Sequence, residues 1–181
     1  MSKIKRMLKP DLYHSAFWKI DFCDLSSMGI KYLIIDVDNT ISNAYSPIIN
    51  EEAKDALNDS MKKGFIRNAC LVSNIMFGKK RVRRVADMAK ELNIPFVAAM
   101  YLSLKPRRRP FLEGLKKMNA LAEETAVIGD QILTDILGGN KLGCYTILIK
   151  PLGKSHWTNT LTFRGLREEM FRHTLKINLD D

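Results

Sequence analysis

Tyr32-Leu33-Ile34-Ile35-Asp36-Val37-Asp38-Asn39-Thr40 is a short apolar run that stops at two carboxylates one residue apart. A run of this length bounded by a turn signal reads as a buried strand. A buried carboxylate is costly unless a cation or a metal pairs with it. Asp36 and Asp38 at the mouth of such a strand therefore point to a metal site, and they set a nucleophile and a proton donor side by side.

Outward from this stretch, strand and helix patterns alternate. Residues 31–36 read as the first strand, followed by strands over 66–72, 96–100, 125–128 and 144–149. A helix is expected over 50–63, with Asn50 as its N-cap, Glu51 and Glu52 at the positive end, and Lys62, Lys63 and Gly64 at the other. Ala53, Ala56, Leu57 and Met61 form its apolar stripe. The next helix turns Val82, Val85, Ala86 and Ala89 inward, turns Lys79, Lys80, Arg81, Arg83 and Arg84 mostly outward, and stops at Asn93. Pro110 opens a further helix with Phe111, Leu112, Leu115 and Met118 on one side. Strands alternating with helices imply βαβ units, right-handed crossovers and a parallel sheet, hence an α/β fold.

A chain of 181 residues with 46% hydrophobic and 27% charged residues suits one soluble domain with a substantial core. The formal net charge of +9 predicts attraction to polyanions, whether anionic lipid surfaces, nucleic acids or other phosphorylated partners. The longest apolar stretch, 94–102, falls far short of the roughly 18 residues a membrane span needs. The basic start of the chain lacks the apolar segment of a secretory signal. Cys23, Cys70 and Cys144 show neither disulfide nor zinc spacing, and a reducing, cytoplasmic compartment is expected. Three pieces are expected: a basic amphipathic segment at 1–30, a core at 31–151, and an amphipathic extension at 152–181 with a helix near 164–174. In the first piece, Ile4, Met7, Leu8, Leu12, Tyr13, Phe17 and Trp18 interleave with Lys3, Lys5, Arg6 and Lys9, which suits either an interfacial anchor or packing against the sheet.

Polar groups follow the strands in order: Asp36 and Asp38, Ser73 and Asn74, Lys105, then Asp130 and Asp135. Ligands of open α/β sheets bind outside the carboxyl ends of the strands, so these groups can converge on one crevice. Several carboxylates suit Mg²⁺, which takes oxygen ligands and shares them with substrate phosphate. A lysine supplies a point charge for phosphate, and a serine with the N–H groups of a tight turn completes a cradle. Asn39, Thr40, Gln131 and Asn140 read as supporting or capping residues. His14, His156 and His173 show no ligand spacing.

This ordered set resembles the haloacid dehalogenase (HAD) superfamily of phosphohydrolases over about 31–151. Its four motifs would be Asp36-Val37-Asp38-Asn39-Thr40, Ser73, Lys105, and Gly129-Asp130-Gln131-Ile132-Leu133-Thr134-Asp135. The first and last motifs, with Leu8-Lys9-Pro10-Asp11-Leu12-Tyr13, are similar to the capless subclass that includes phosphatidylglycerophosphate phosphatases. The intervals between motifs leave no room for a large cap domain.

The resemblance implies a three-layer α/β/α Rossmann-like core. It implies Asp36 as nucleophile, forming an aspartyl-phosphate, and Asp38 as acid and then base. Mg²⁺ would be held by Asp36, the backbone carbonyl of Asp38 and Asp130, with Asp135 supporting the metal or orienting Lys105. Lys105 would offset charge, and Ser73 with the N–H of Asn74 would hold the phosphoryl oxygens. An open basic mouth near Lys79–Arg84 and Arg107-Arg108-Arg109 suits a phosphate at a membrane surface. The expected reaction is hydrolysis of phosphatidylglycerophosphate to phosphatidylglycerol by a peripheral membrane enzyme. The alternatives are a capless phosphatase for nucleic-acid ends, phosphoproteins or small esters, and a non-catalytic binding module on the same fold.

Overall fold

The computed structural model describes residues 3–75, 78–153 and 170. Six parallel strands form one sheet: β1 (Leu12–His14), β2 (Tyr32–Ile35), β3 (Asn68–Asn74), β4 (Phe96–Ala99), β5 (Thr125–Gly129) and β6 (Tyr145–Ile149), in the order β1-β6-β5-β2-β3-β4. The helices are α1 (Lys3–Leu8), α2 (Phe22–Ser27), α3 (Glu51–Lys62), α4 (Lys79–Glu91), α5 (Arg108–Met118) and α6 (Leu137–Asn140).

The pleat sorts each strand into two faces. Leu33, Ile35, Ala69, Leu71, Ala126, Ile128, Ile147 and Ile149 pack with α2, α3 and α4. Ile34, Cys70, Val72 and Val127 point the other way, onto Phe111, Leu115 and Met118 of α5. Leu148 meets Leu8 beside Ile132 and Ile136. Both faces are covered, so the strands read as continuous apolar runs rather than alternating ones. This is the expected three-layer α/β architecture. Only a loop and α3 separate the first motif from β3, and α4 and β4 fill the interval from there to Lys105, so no folded cap stands among the described residues.

Local signals act as expected at α3. The Asn50 side chain accepts a hydrogen bond from Ala53 N at 2.9 Å, and Gly64 follows at φ 74°. That left-handed turn costs a glycine little.

Three details differ from the expectations, and one alternative left open is decided. The segment ahead of the core supplies a sixth strand, since β1 pairs with β6 from Leu12↔Ile147 to His14↔Ile149. Leu8, Phe17, Ile20, Phe22 and Leu25 are buried, so of the two placements weighed for this segment these side chains take packing against the sheet. Leu112 is exposed, because α5 turns Pro110, Phe111, Gly114, Leu115 and Met118 inward instead. On α4 the buried positions are Val85, Met88 and Ala89, with Val82 and Ala86 at the edge of the stripe. The helix expected near 164–174 lies outside the described residues, apart from the helical Met170. Among the described residues, no helix is long and apolar enough to cross a membrane.

Candidate active site

Strand register brings the motifs level. Ile35 pairs with Leu71 on one side and Ile128 on the other, so β2 and β5 end within a residue of each other, while β3 runs three residues farther to Asn74. Asp36 continues beyond β2, its N–H donating to Ile128 O at 2.9 Å. Asp130 follows β5 directly, and Asp135 lies one turn on, in a π-helical turn over Ile132–Ile136. Lys105 arrives from the loop after β4, and all four of these side chains are buried.

Lys105 Nζ donates to Asp36 Oδ1 at 2.5 Å and to Asp135 Oδ1 at 2.7 Å. The lysine itself is held at its backbone, where its N–H donates to Asn74 Oδ1 at 2.8 Å. Asp135 Oδ2 accepts from Thr134 Oγ1 at 3.0 Å and from Gln131 N at 3.3 Å. Thr40 Oγ1 donates to Asp36 Oδ2 at 3.4 Å. Gly129 makes room for Asp135: a Cβ added there would stand 2.4 Å from its Cγ.

The electrostatics follow from two carboxylates paired with one cation in a poorly solvated site, with a third carboxylate, Asp130, close to both. Burial pushes the Asp36 carboxyl up to about 7 from its ordinary 3.8, Lys105 pulling against this and Asp135 adding to it. Burial by itself would depress the Lys105 ammonium, but Asp135 and Asp36 outweigh it and raise the group well above its ordinary value. Lys105 therefore stays charged at any physiological pH.

Oxygens of Asp36, Asp130 and Asp135 lie within 4.8 Å of one another. Buried carboxylate oxygens are hard donors, and their negative charge exceeds what Lys105 supplies. Both features fit a small divalent cation such as Mg²⁺.

Asp38 stands apart from this cluster. Its two oxygens each accept from Arg84 Nη2 at 2.9 Å, and Oδ1 also accepts from Tyr45 N at 2.8 Å. Its carboxylate is thus paired with α4, which leaves its backbone carbonyl for the metal role expected of Asp38. Arg84, read from the sequence as outward-facing, is turned toward the site. Ser73 is buried near the end of β3, next to Asn74. Thr40 and Gln131 support the carboxylates as expected, whereas Asn140 is tied elsewhere, donating to Met7 O at 2.9 Å and Lys9 O at 3.0 Å. A cleft of about 630 Å³ lined by Arg6, Met7, Lys9, Asp11, Asn140 and Cys144 lies at the amino ends of β1 and β6, away from the converging acids.

Two helices that begin at this end of the sheet carry basic first turns. Lys79, Lys80 and Arg81 open α4, and Arg107, Arg108 and Arg109 open α5, all exposed and with no acid in either first turn. A helix N-terminus is already positive, so each such cation opposes the helix dipole by about 0.3–1 kcal/mol at an exposed site. Tyr45, Ile48 and Tyr101, on loops leaving the same strand ends, are 57%, 68% and 63% exposed.

Residues 2–152 match the family described as mitochondrial PGP phosphatase. The chain is 31% identical over 152 residues to the probable phosphatase YqeG of Bacillus subtilis (strain 168), covering 84% of this chain and 83% of that protein. It is 26% identical over 159 residues to phosphatidylglycerophosphate phosphatase 1, chloroplastic, of Chlamydomonas reinhardtii, covering 84% of this chain but only 54% of the algal protein. Among solved structures, an uncharacterized protein from Listeria monocytogenes serotype 4b shares the fold at TM-score 0.54 and 19% identity, covering 70% of this chain and 84% of that one. The match across nearly the whole described chain agrees with four motifs that fall at the carboxyl ends of neighbouring strands: the chain belongs to the PGP phosphatase family and is a phosphatase of the HAD superfamily.

Proposed function

We propose that the protein hydrolyses the terminal phosphomonoester of phosphatidylglycerophosphate, giving phosphatidylglycerol and inorganic phosphate. The observation that carries the chemistry is the buried Asp36–Lys105–Asp135 chain with Asp130 beside it. Asp36 Oδ1 is committed to Lys105, which leaves Oδ2, where Thr40 Oγ1 donates at the longer 3.4 Å, to attack phosphorus. The bond from phosphorus to the ester oxygen breaks as Asp38 delivers a proton to the departing alkoxide. An aspartyl-phosphate on Asp36 results. Asp38 then takes a proton from water, the resulting hydroxide attacks phosphorus, and phosphate leaves with Asp36 restored.

Lys105 offsets the repulsion between an anionic ester and an anionic nucleophile. Ser73 and the N–H of Asn74 hold phosphoryl oxygens. Asp36, Asp130, Asp135 and the Asp38 carbonyl would hold Mg²⁺, which neutralises charge on the phosphoryl group when bound. Fixed positions and fixed charges carry most of such a reaction.

The lipid substrate is supported by the family description, by the name of the algal relative, and by the uncapped, basic mouth. We infer peripheral docking on an anionic membrane through the first turns of α4 and α5, with Tyr45, Ile48 and Tyr101 at the lipid boundary. The same charge would suit nucleic-acid ends. The test is phosphate release from phosphatidylglycerophosphate in mixed micelles, with and without Mg²⁺, beside soluble esters and 5′-phosphorylated oligonucleotides, with Asp36→Asn as control. Preference for the lipid supports the reading, and activity confined to oligonucleotides or soluble esters overturns the substrate while keeping the chemistry.

A further inference from the structure

The two acids of the first motif have separate cations. Asp36 is paired with Lys105 inside the site, whereas Asp38 is paired with Arg84 at its edge, with side chains 28% and 11% exposed respectively. Arg84 comes from α4, 46 residues along the chain, and from a helix face that is otherwise basic and solvated. Its Nη2 donates to both oxygens of Asp38, and its Nη1 donates to Ser46 O at 2.8 Å in the loop that follows the motif. Tyr45, in the same loop, donates its N–H to Asp38 from a left-handed conformation, φ 63°, which an aromatic residue rarely adopts. Arg81, one turn before Arg84, lies over the Tyr45 ring at 4.7 Å. Strained backbone of this kind persists where its surroundings hold it, and it clusters at working sites. Here three independent contacts hold one loop so that two donors meet one carboxylate.

We propose that Arg84 is the positioning residue for Asp38, and this rests on the acid and base role proposed for Asp38 above. A guanidinium stays charged and moves no proton itself, so its contribution is placement. An untethered Asp38 carboxylate would be drawn toward Lys105 and the cation-binding cluster, where it would compete with Asp36. Arg84 keeps the two acids apart and each at its own task. Oδ1 accepts from both Arg84 and Tyr45 and Oδ2 accepts from Arg84, so the carboxylate is fixed at both oxygens.

A residue that places the general acid matters most when the leaving group is a poor one. The experiment measures kcat/KM, which reports formation of the aspartyl-phosphate, for wild type, Arg84→Gln and Arg84→Lys with Mg²⁺. The substrates run from p-nitrophenyl phosphate through phenyl phosphate to glycerol phosphate, and thermal melts fix the folded fraction. A positioned general acid contributes about 10²–10⁴-fold, so Arg84→Gln is expected to lose roughly 10²-fold on the alkyl ester and under about 3-fold on p-nitrophenyl phosphate. KM should barely move, Arg84→Lys should regain part of the loss, and Arg84→Gln should add nothing in an Asp38→Asn background.

An equal loss across the series, or none, overturns the positioning role while leaving the phosphatase reading intact. An Asp38→Asn variant as active as wild type on the alkyl ester removes the acid role and the proposal with it. Wild type inert toward every ester, the lipid included, removes the proposed function itself.

Discussion

Replacing Asp36 with asparagine should make the metal-free protein more stable at alkaline pH, even as it abolishes turnover. Asp36 and Asp135 are buried against the Lys105 ammonium, with Asp130 close to both carboxylates. The Asp36 carboxyl lies near 7 in the fold against 3.8 ordinarily, a rise of roughly three pH units. An acid whose folded value is raised binds its proton more tightly in the native state. Between about pH 4 and 7 the native state therefore holds more protons than the unfolded chain, and stability falls as pH rises through that window. At 1.36 kcal/mol per unit, the full effect above pH 7 is on the order of 4 kcal/mol.

The asparagine side chain would keep the shape and the acceptor for Lys105 without the charge. Its advantage should be roughly 1–2 kcal/mol at pH 5 and about 4 kcal/mol at pH 8, the latter roughly 8–16 °C at about 2–4 °C per kcal/mol for a chain of this size. Thermal melts of both proteins in EDTA from pH 5 to 8 measure it. Adding Mg²⁺ at pH 8 should raise the wild-type midpoint and close the gap, since the cation supplies the charge that the site lacks. Parallel melting curves across pH, or a variant less stable at pH 8, would refute the reasoning. Either would mean that the ion pair with Lys105 outweighs the cost of burying the Asp36 charge.

Three further outcomes follow from the same site. Lys105→Met should cost about 3–5 kcal/mol by leaving buried carboxylates uncompensated, and should eliminate turnover; Mg²⁺ should recover part of the stability in a melt but none of the activity. Gly129→Ala should displace Asp135, whose Cγ stands 2.4 Å from the added methyl, so that phosphate release and the Mg²⁺-induced Tm shift fall together. Changing Lys79, Lys80, Arg107 and Arg108 to glutamine should stabilise the fold by a few tenths to about 1 kcal/mol per site through the helix dipoles, while cosedimentation with anionic vesicles drops.

Most of the sheet was readable because a parallel strand buried on both faces leaves a plain mark, an apolar run with a turn signal at its end. Three strands, running out at Asp36, Ser73-Asn74 and Gly129-Asp130, carry that mark in full, and β4 and β6 carry the apolar run alone. β1 does not. It has three residues, all half-buried, and its partner strand is more than 130 residues away. The only hint lies in side-chain chemistry: Asp11 Oδ2 accepts from Thr146 N and from Thr146 Oγ1, both at 2.8 Å, which fixes the edge register. A pairing of that kind has no periodicity to announce it. Leu112 was misplaced for a related reason. A stripe wide enough to hold Pro110, Phe111, Gly114, Leu115 and Met118 leaves its neighbour outside, and Gly114 is buried because the Val72 methyl would stand 3.3 Å from any Cβ there.

The site was readable wherever charge conflicts with burial, and unreadable where charge agrees with solvent. Asp36, Lys105, Asp130 and Asp135 stand out because ionisable groups at the ends of buried strands need partners, and here they gather on one another. Arg84 drew no such attention, because an arginine on a basic helix face satisfies every local rule. Its position does contain a signal. Arg84 sits four residues before the buried Met88 and three after Arg81, at the flank of the apolar stripe and one turn into a helix that starts beside the strand ends carrying the acids. A long basic side chain at that flank can reach back over the site. The more general sign is the set of penalties gathered at one end of the sheet: two helices opened by cations against their dipoles, a tyrosine in left-handed backbone, and three buried acids within 4.8 Å of one another. Each is unfavourable to folding taken alone. On the function proposed above, each would become favourable with a phosphate and a divalent cation bound, because the first turns would then face an anion, the loop would aim an acid, and the carboxylates would acquire the charge they lack.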